Sequence, residues 1–200
     1  MSPSGASPIV AIGCSWGGLE AVSAVLDAIP DDLMATLVVV QHRMHRQSQL
    51  GSLLGNHTSW PVCEADDKER LSPQRVYLAP PGYHLLVDRD CFALSTEAPV
   101  RNSRPSVDVL FESVAEAFGA RAIGVVLTGA NADGALGLQS IVRHGGSALI
   151  QDPATAERRD MPDAAIATGV DAAVMALDAL GPAIVERVSA LSTHRSDAST

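Results

Sequence analysis

The sequence predicts an α/β domain: a doubly wound, mainly parallel sheet with helices on both faces and an antiparallel edge hairpin. Short β-branched runs alternate with Ala-rich helical stretches, the pattern of a parallel sheet covered by helices. Apolar runs such as Ala122–Leu127 are continuous rather than alternating, as strands buried on both faces are. The strand–turn–helix unit at the start of the chain is also repeated in organisation between Arg121 and Gly146.

In chain order, Ile9–Ile12 reads as the first strand, followed by a Gly-rich turn and a helix over about Gly17–Ala28 that Pro30 and two aspartates end. Leu37–Gln41 is the second strand, and a helix follows near Gln47–Leu54. Pro61–Glu64 and Val76–Ala79 are short strands, and Pro80-Pro81-Gly82 turns the chain into His84–Asp88. Cys91–Leu94 then closes a hairpin, the antiparallel edge. Ser106 caps a helix over about Val107–Phe118. Ala122–Leu127, the turn Thr128–Ala132 and a helix Gly134–His144 closed by Gly145-Gly146 make the repeated unit. A strand Ala148–Gln151, a helix near Pro162–Thr168 and a last helix over about Asp178–Leu191 complete the chain.

Two hundred residues suit one domain, large enough to bury roughly 70% of its unfolded surface. The expected division is a flexible N-terminus over 1–8, one folded domain over 9–191 and a flexible tail over 192–200. A hydrophobic fraction of 46% fills a core built from Ala, Val, Leu and Ile. Two Trp, two Tyr and three Phe leave few stacking platforms for nucleic acid, and a formal charge of −9 lacks the basic footprint that phosphate binding needs. Cys14, Cys63 and Cys91 form neither a paired framework nor a metal-ligand spacing, so no metal is expected. Met1 to Pro8 has no signal-peptide pattern. The apolar runs fall far short of the ~20 residues of a membrane span. A cytoplasmic protein without membrane insertion is expected.

Loops at the carboxyl ends of strands build the site in open parallel sheets. Three residues with complementary acyl-transfer chemistry stand at such ends. Ser15 lies in Gly13-Cys14-Ser15-Trp16-Gly17, a G-x-S-x-G turn that presents a serine hydroxyl at a helix N-terminus. His42 ends the second strand, and Asp133 follows the Ala122–Leu127 strand. A serine hydroxyl is a weak nucleophile until an imidazole accepts its proton, and a carboxylate fixes that imidazole's tautomer and stabilises its cation. The backbone N–H of Trp16 is one candidate oxyanion donor, and an N–H from Gly129–Asn131 the second.

Other histidines compete less well. One helix would carry His144 about 16 Å from Asp133 at 1.5 Å per residue. His194 is in the polar tail, His57 is in a turn-like stretch, and His84 begins a strand. His45, three residues after His42, is the rival. Blander readings stand beside these: Gly13–Gly18 as a phosphate-cradling turn, although it completes neither G-x-G-x-x-G nor a P-loop; Asp133 as a cap of its own helix; and Ser106-Val107-Asp108 as capping alone.

The run IVAIGCSWGGLEAV resembles the opening of the catalytic domain of the CheB protein-glutamate methylesterases. VVVQH, RVYLAPPGYHLLV, RPSVDVLFESVAEAF, GVVLTGANADGALGLQSIVRHGG and QDPATAERRDMPDAAIATG extend the resemblance in the same order over about Ile9 to Gly169. It implies hydrolysis of γ-glutamyl methyl esters on chemoreceptor cytoplasmic helices, with methanol released and glutamate restored. Deamidation of receptor glutamines is the implied companion activity. The family's catalytic serine, histidine and aspartate fall on Ser15, His42 and Asp133, its oxyanion donors on the backbone N–H groups of Trp16 and Ala130, and no cofactor is implied.

Three departures accompany the resemblance. The chain begins directly at the catalytic domain, without the family's common receiver domain, so regulation is expected from elsewhere, such as a separate receiver protein, or not at all. Trp16 replaces the small residue usual after the nucleophile, where an indole narrows the site or adds a contact surface. The family's Met-Gly-rich loop reads Ala130-Asn131-Ala132, and Asn tolerates the left-handed backbone such a loop would need. Arg43, Arg46, Arg101 and Arg104 are either partners for acidic receptor helices or solvated surface charges. The open alternatives are a carboxylesterase acting on another substrate through the same triad, a non-catalytic signalling-complex module with its pocket blocked by Trp16, and, more remotely, a nucleotide-binding protein.

Overall fold

A computed structural model describes residues 7–42 and 49–197, with side chains through 193. Seven strands form one parallel sheet. They are β1 (Ile9–Cys14), β2 (Thr36–Gln41), β3 (Val62–Glu64), β4 (Arg75–Leu78), β7 (Ala122–Val126), β8 (Ser147–Gln151) and β9 (Ala173–Met175), in the spatial order β3-β4-β2-β1-β7-β8-β9. The chain builds outward from β1 through β2 on one side and through β7 on the other. The order therefore reverses beside β1, the topological switch point at which open α/β sheets place their ligands.

Each central strand divides its side chains between the two faces. Ile9 and Ala11 of β1, Val38 and Val40 of β2, and Ala122 and Val126 of β7 enter one core. Val10 and Ile12, Leu37 and Val39, and Ile123 and Val125 enter the other. A two-residue side-chain period sends neighbours to opposite faces, so a strand apolar at every position is stable only with both faces covered. The first face is covered by α3 (Val107–Phe118), α4 (Ala135–Arg143) and α5 (Asp160–Ala167), the second by α1 (Gly18–Asp27), α2 (Leu50–Leu54) and α6 (Leu177–Asp197). Each Val, Leu or Ile buried completely contributes about 1.5–3 kcal/mol relative to exposure.

The predicted hairpin is present as β5 (His84–Asp88) and β6 (Cys91–Ser95), but it is a separate two-stranded sheet and not an edge of the main one. Its apolar residues explain the placement. Leu85, Val87 and Phe92 are buried in the same core as Leu110 and Phe111 of α3, so the hairpin adds its face to a helix rather than its edge to a strand. The edges of the large sheet are β3 and β9. The strand β9 is only three residues long and carries no apolar alternation that would mark it in the sequence. The closing helix runs past Leu191 to Asp197, through the stretch read as a polar tail, with Ser192 Oγ donating to the Val188 carbonyl at 3.0 Å and Thr193 Oγ1 to that of Ser189 at 3.0 Å. Arg43, His45 and Arg46 lie outside the described residues, as does the side chain of His194.

The helices α3 and α4 approach one another unusually closely at Gly137. A Cβ there would stand 2.6 Å from Phe111 Cβ and 2.9 Å from both Cα and the carbonyl oxygen of Asp108. The two helices therefore touch backbone to backbone. Gly137→Ala is expected to destabilise the fold by about 1–3 kcal/mol, the usual cost of overpacking, measured by denaturant unfolding; wild-type stability in this variant would contradict the close approach.

Candidate active site

The backbone ladder of the central strands continues into the loops that follow them. Leu127 N–H donates to the Gly13 carbonyl at 2.9 Å, Ser15 N–H to that of Thr128 at 2.9 Å, and His42 N–H to that of Cys14 at 3.1 Å. The ends of β2, β1 and β7 are thus tied side by side, with His42, Ser15 and the 128–133 loop at the same level. Thr128 also holds the turn from the other side, its Oγ1 donating to the Trp16 carbonyl at 2.9 Å. Gly17 completes the turn at φ +74° as the N-cap of α1, a left-handed conformation that glycine adopts without steric penalty.

Asp133 is fully buried. Its Oδ2 accepts from His42 Nε2 at 2.8 Å and from the Val107 N–H at 2.7 Å, and its Oδ1 from the Ser106 hydroxyl at 2.8 Å and the Asp108 N–H at 2.9 Å. An ionised carboxylate offers about four acceptor positions, and all are used. Asp133 does not cap its own helix, whose N-cap is Gly134 without a side-chain bond. It caps α3 instead, where the positive end of the helix dipole favours an anion. Burial alone pushes its carboxyl up. The hydrogen bonds from His42 and from the N–H groups of Asp108 and Val107 outweigh that, and hold it below its ordinary value.

The favour is returned. Asp108, in the first turn of α3, accepts from the N–H groups of Gly134 and Gly137 at 2.9 and 2.7 Å, at the start of α4. Its Oδ2 takes the Arg101 Nε–H at 3.2 Å. Burial raises the Asp108 carboxyl, the Gly137 N–H opposes, and the nearby Asp133 charge adds to the rise.

An ionised Asp133 only accepts, so the His42 proton between them resides on Nε2 and Nδ1 carries the lone pair. Nδ1 receives the Asn131 side-chain amide at 3.1 Å. Among the described residues no hydrogen bond joins Ser15 Oγ to His42. Ser15, Trp16, His42, Asn102–Pro105, Ala130 and Asn131 line one cavity of about 450 Å³. Ala130 is exposed in that wall, and neither its N–H nor that of Trp16 donates to another described residue.

The Trp16 indole is 60% exposed, and its Nε1–H donates to Glu157 at 2.6 Å. The Arg158 guanidinium stands 5.7 Å from the ring centroid. The indole is therefore drawn toward the loop after β8, on the side of β1 away from His42. Arg104 holds the carbonyls of Thr96 and Glu97 at 2.8 and 3.0 Å, and Arg101 is paired with Asp108, so neither is a merely solvated charge. His57 pairs with Asp27, His84 is buried at the start of β5, and His144 Nδ1 bonds the Ser140 carbonyl. No group of three or more metal-ligating side chains occurs among the described residues.

The sequence profile of the CheB methylesterase family matches residues 10–184. The chain belongs to the CheB methylesterase family. It is 44% identical, over 81% of its length and 86% of the relative's, to a Leptospira interrogans protein provisionally named protein-glutamate methylesterase/protein-glutamine glutaminase. It is 37% identical to the protein-glutamate methylesterase/protein-glutamine glutaminase of Maricaulis maris and 39% identical to the protein-glutamate methylesterase FrzG of Myxococcus xanthus, covering 90% of this chain in each case. It spans about half of those two longer relatives, 46% and 55%. The crystal structure of the Thermotoga maritima CheB methylesterase catalytic domain superposes with a TM-score of 0.87 at 30% identity, over 90% of this chain and 98% of that one.

Within this CheB-family chain, three side chains around Asp133 and His42 do more than the capping and backbone tolerance that the sequence suggests for them. Ser106 does cap α3, accepting from the Val109 N–H at 3.5 Å, but its hydroxyl also bonds Asp133. Asp108 caps the start of α4 rather than only its own helix, and the Asn131 amide reaches the His42 ring. Asn131 also corrects an expectation: it is not among the positive-φ residues. Its side chain shapes the loop instead, Oδ1 accepting the Asp133 N–H at 3.0 Å.

The depressed Asp133 carboxyl sets a pH dependence. The folded group binds its proton less readily than the unfolded one, so its stabilisation is whole above about pH 4 and is lost as pH falls through the folded value. Asp133→Asn is expected to cost about 3 kcal/mol at neutral pH, because the amide NH2 faces donors that the carboxylate accepted from and leaves them unsatisfied. In urea unfolding the gap from the parent protein narrows below about pH 4; a gap unchanged down to pH 3 would refute the assignment.

Proposed function

We propose that this chain is a serine hydrolase that demethylates glutamate methyl esters on the cytoplasmic helices of chemoreceptors, in chemotaxis adaptation, with deamidation of receptor glutamines as a second use of the same acyl chemistry. The observation that carries the reading is the Asp133–His42 pair, oriented by four hydrogen bonds to one buried carboxylate, at the strand ends that flank Ser15 in one cavity. Family membership and the relatives' names support the substrate class.

Ser15 Oγ attacks the ester carbonyl as His42 Nδ1 takes its proton, and Asp133 stabilises the imidazolium through Nε2–H. The N–H groups of Trp16 and Ala130 receive the developing oxyanion. Collapse expels methoxide, which leaves as methanol with the His42 proton. Water, activated by the same imidazole, then attacks the acyl-enzyme and restores free glutamate and Ser15. An amide substrate passes through the same steps with ammonia as leaving group. The position of Trp16 speaks against a blocked, non-catalytic pocket, because its indole is held toward Glu157.

Methanol release from methylated receptor membranes, compared between this protein and Ser15→Ala, tests the reading. Release is expected from the first and only background from the second; equal release would remove Ser15 from the chemistry. Trp16→Ala keeps the backbone donor and removes an aromatic wall. It is expected to raise KM about 3–10-fold, the worth of one aromatic contact, with kcat little changed; a matching fall in kcat would assign the indole to the transition state.

A further inference from the structure

A neutral imidazole accepts a hydrogen bond at one nitrogen only. In His42 that nitrogen is Nδ1, because Nε2 donates to Asp133. Its lone pair is already occupied by the Asn131 amide at 3.1 Å. The orientation of that amide is fixed by a second bond. Its oxygen accepts the Asp133 N–H at 3.0 Å, so a half-turn would set N–H against N–H on one side and oxygen against the lone pair on the other. Asn131 is thus strapped between the backbone of one site residue and the ring of another.

We propose that Asn131 is a positioning residue that latches His42 at rest, its amide occupying the one nitrogen through which the imidazole would take the Ser15 proton. The inference rests on the serine-hydrolase reading above and adds regulation to it. The Ser15 hydroxyl and the Asn131 amide compete for a single lone pair, and at rest the amide holds it while no hydrogen bond joins Ser15 Oγ to His42. Catalysis requires the amide to withdraw. Ala130 and Asn131 both line the cavity, so a polypeptide entering it presses on the loop that must move. Substrate occupancy and release of the base are thereby coupled.

Two variants separate the latch from a structural role. Asn131→Ser keeps an oxygen for the Asp133 N–H but is too short to reach the ring. Asn131→Asp is isosteric, keeps that oxygen, and replaces the donor facing Nδ1 with an acceptor. The measurements are the ¹⁵N resonance of His42 Nδ1 and the rate at which a fluorophosphonate labels Ser15, both in the absence of substrate. In Asn131→Ser the resonance is expected to move toward that of an unbonded nitrogen, and labelling to quicken up to about tenfold, the worth of one hydrogen bond. In Asn131→Asp labelling is expected to fall below that of the parent protein, because the carboxylate holds a proton on Nδ1. An unshifted resonance in Asn131→Ser, or slower labelling in both variants, overturns the latch while leaving the hydrolase intact. A shifted resonance with a Ser15 that labels in no variant sinks the serine-hydrolase reading, and the latch with it.

Discussion

A carboxylate buried as completely as Asp133 is sustained only if donors replace the water it has lost. Four do, and they come from two places: the imidazole of His42 at the end of β2, and the first turn of α3 with its capping serine. The arrangement requires the start of α3 to lie against the start of α4. Asp108 locks that approach from the opposite side by capping α4 from within α3. Each helix lends the other an acceptor, and the contact is close enough that only a hydrogen fits at Gly137. The position of the histidine ring is therefore a consequence of helix packing as much as of strand order.

The other half of the site is set by the sheet. Parallel neighbours in register bring three strands to an end together, and the continued ladder through Thr128, Ser15 and His42 fixes their loops before any side chain contributes. A lone G-x-S-x-G says little, but a serine, a histidine and an aspartate at the ends of consecutive buried strands are brought within reach of one another by the strand spacing of about 4.8 Å.

Such features were legible because they are written in local pattern: unbroken apolar runs, glycines at the turns, a serine before a helix. What stayed hidden depends on pairs of elements distant in the chain. That Asp133 would cap α3 rather than α4 is a consequence of helix contact, and no local signal reports it. The hairpin was recognisable from Pro80-Pro81-Gly82 and the paired runs, yet its placement on α3 depends on which of its residues are buried. The three residues of β9 are too few to show a period. Residue type suggests only backbone tolerance at Asn131, whereas its effect lies in its side chain, whose partners are His42 and Asp133.

Asp108 and Asp133 also show how environment divides roles between like groups. They cap neighbouring helices, and each feels the other's charge or backbone. Yet burial wins at Asp108 and raises its carboxyl, whereas hydrogen bonds win at Asp133 and lower it. The difference lies in the donors. Asp133 has an imidazole and a hydroxyl besides two helix N–H groups, while Asp108 has two N–H groups and the half-exposed Arg101. Two carboxylates whose proton affinities are driven apart are a recurrent mark of acid–base sites. Here the one kept ionised is the one that faces His42. In the reaction proposed above, an imidazolium formed at His42 would meet a negative charge already in place on Asp133.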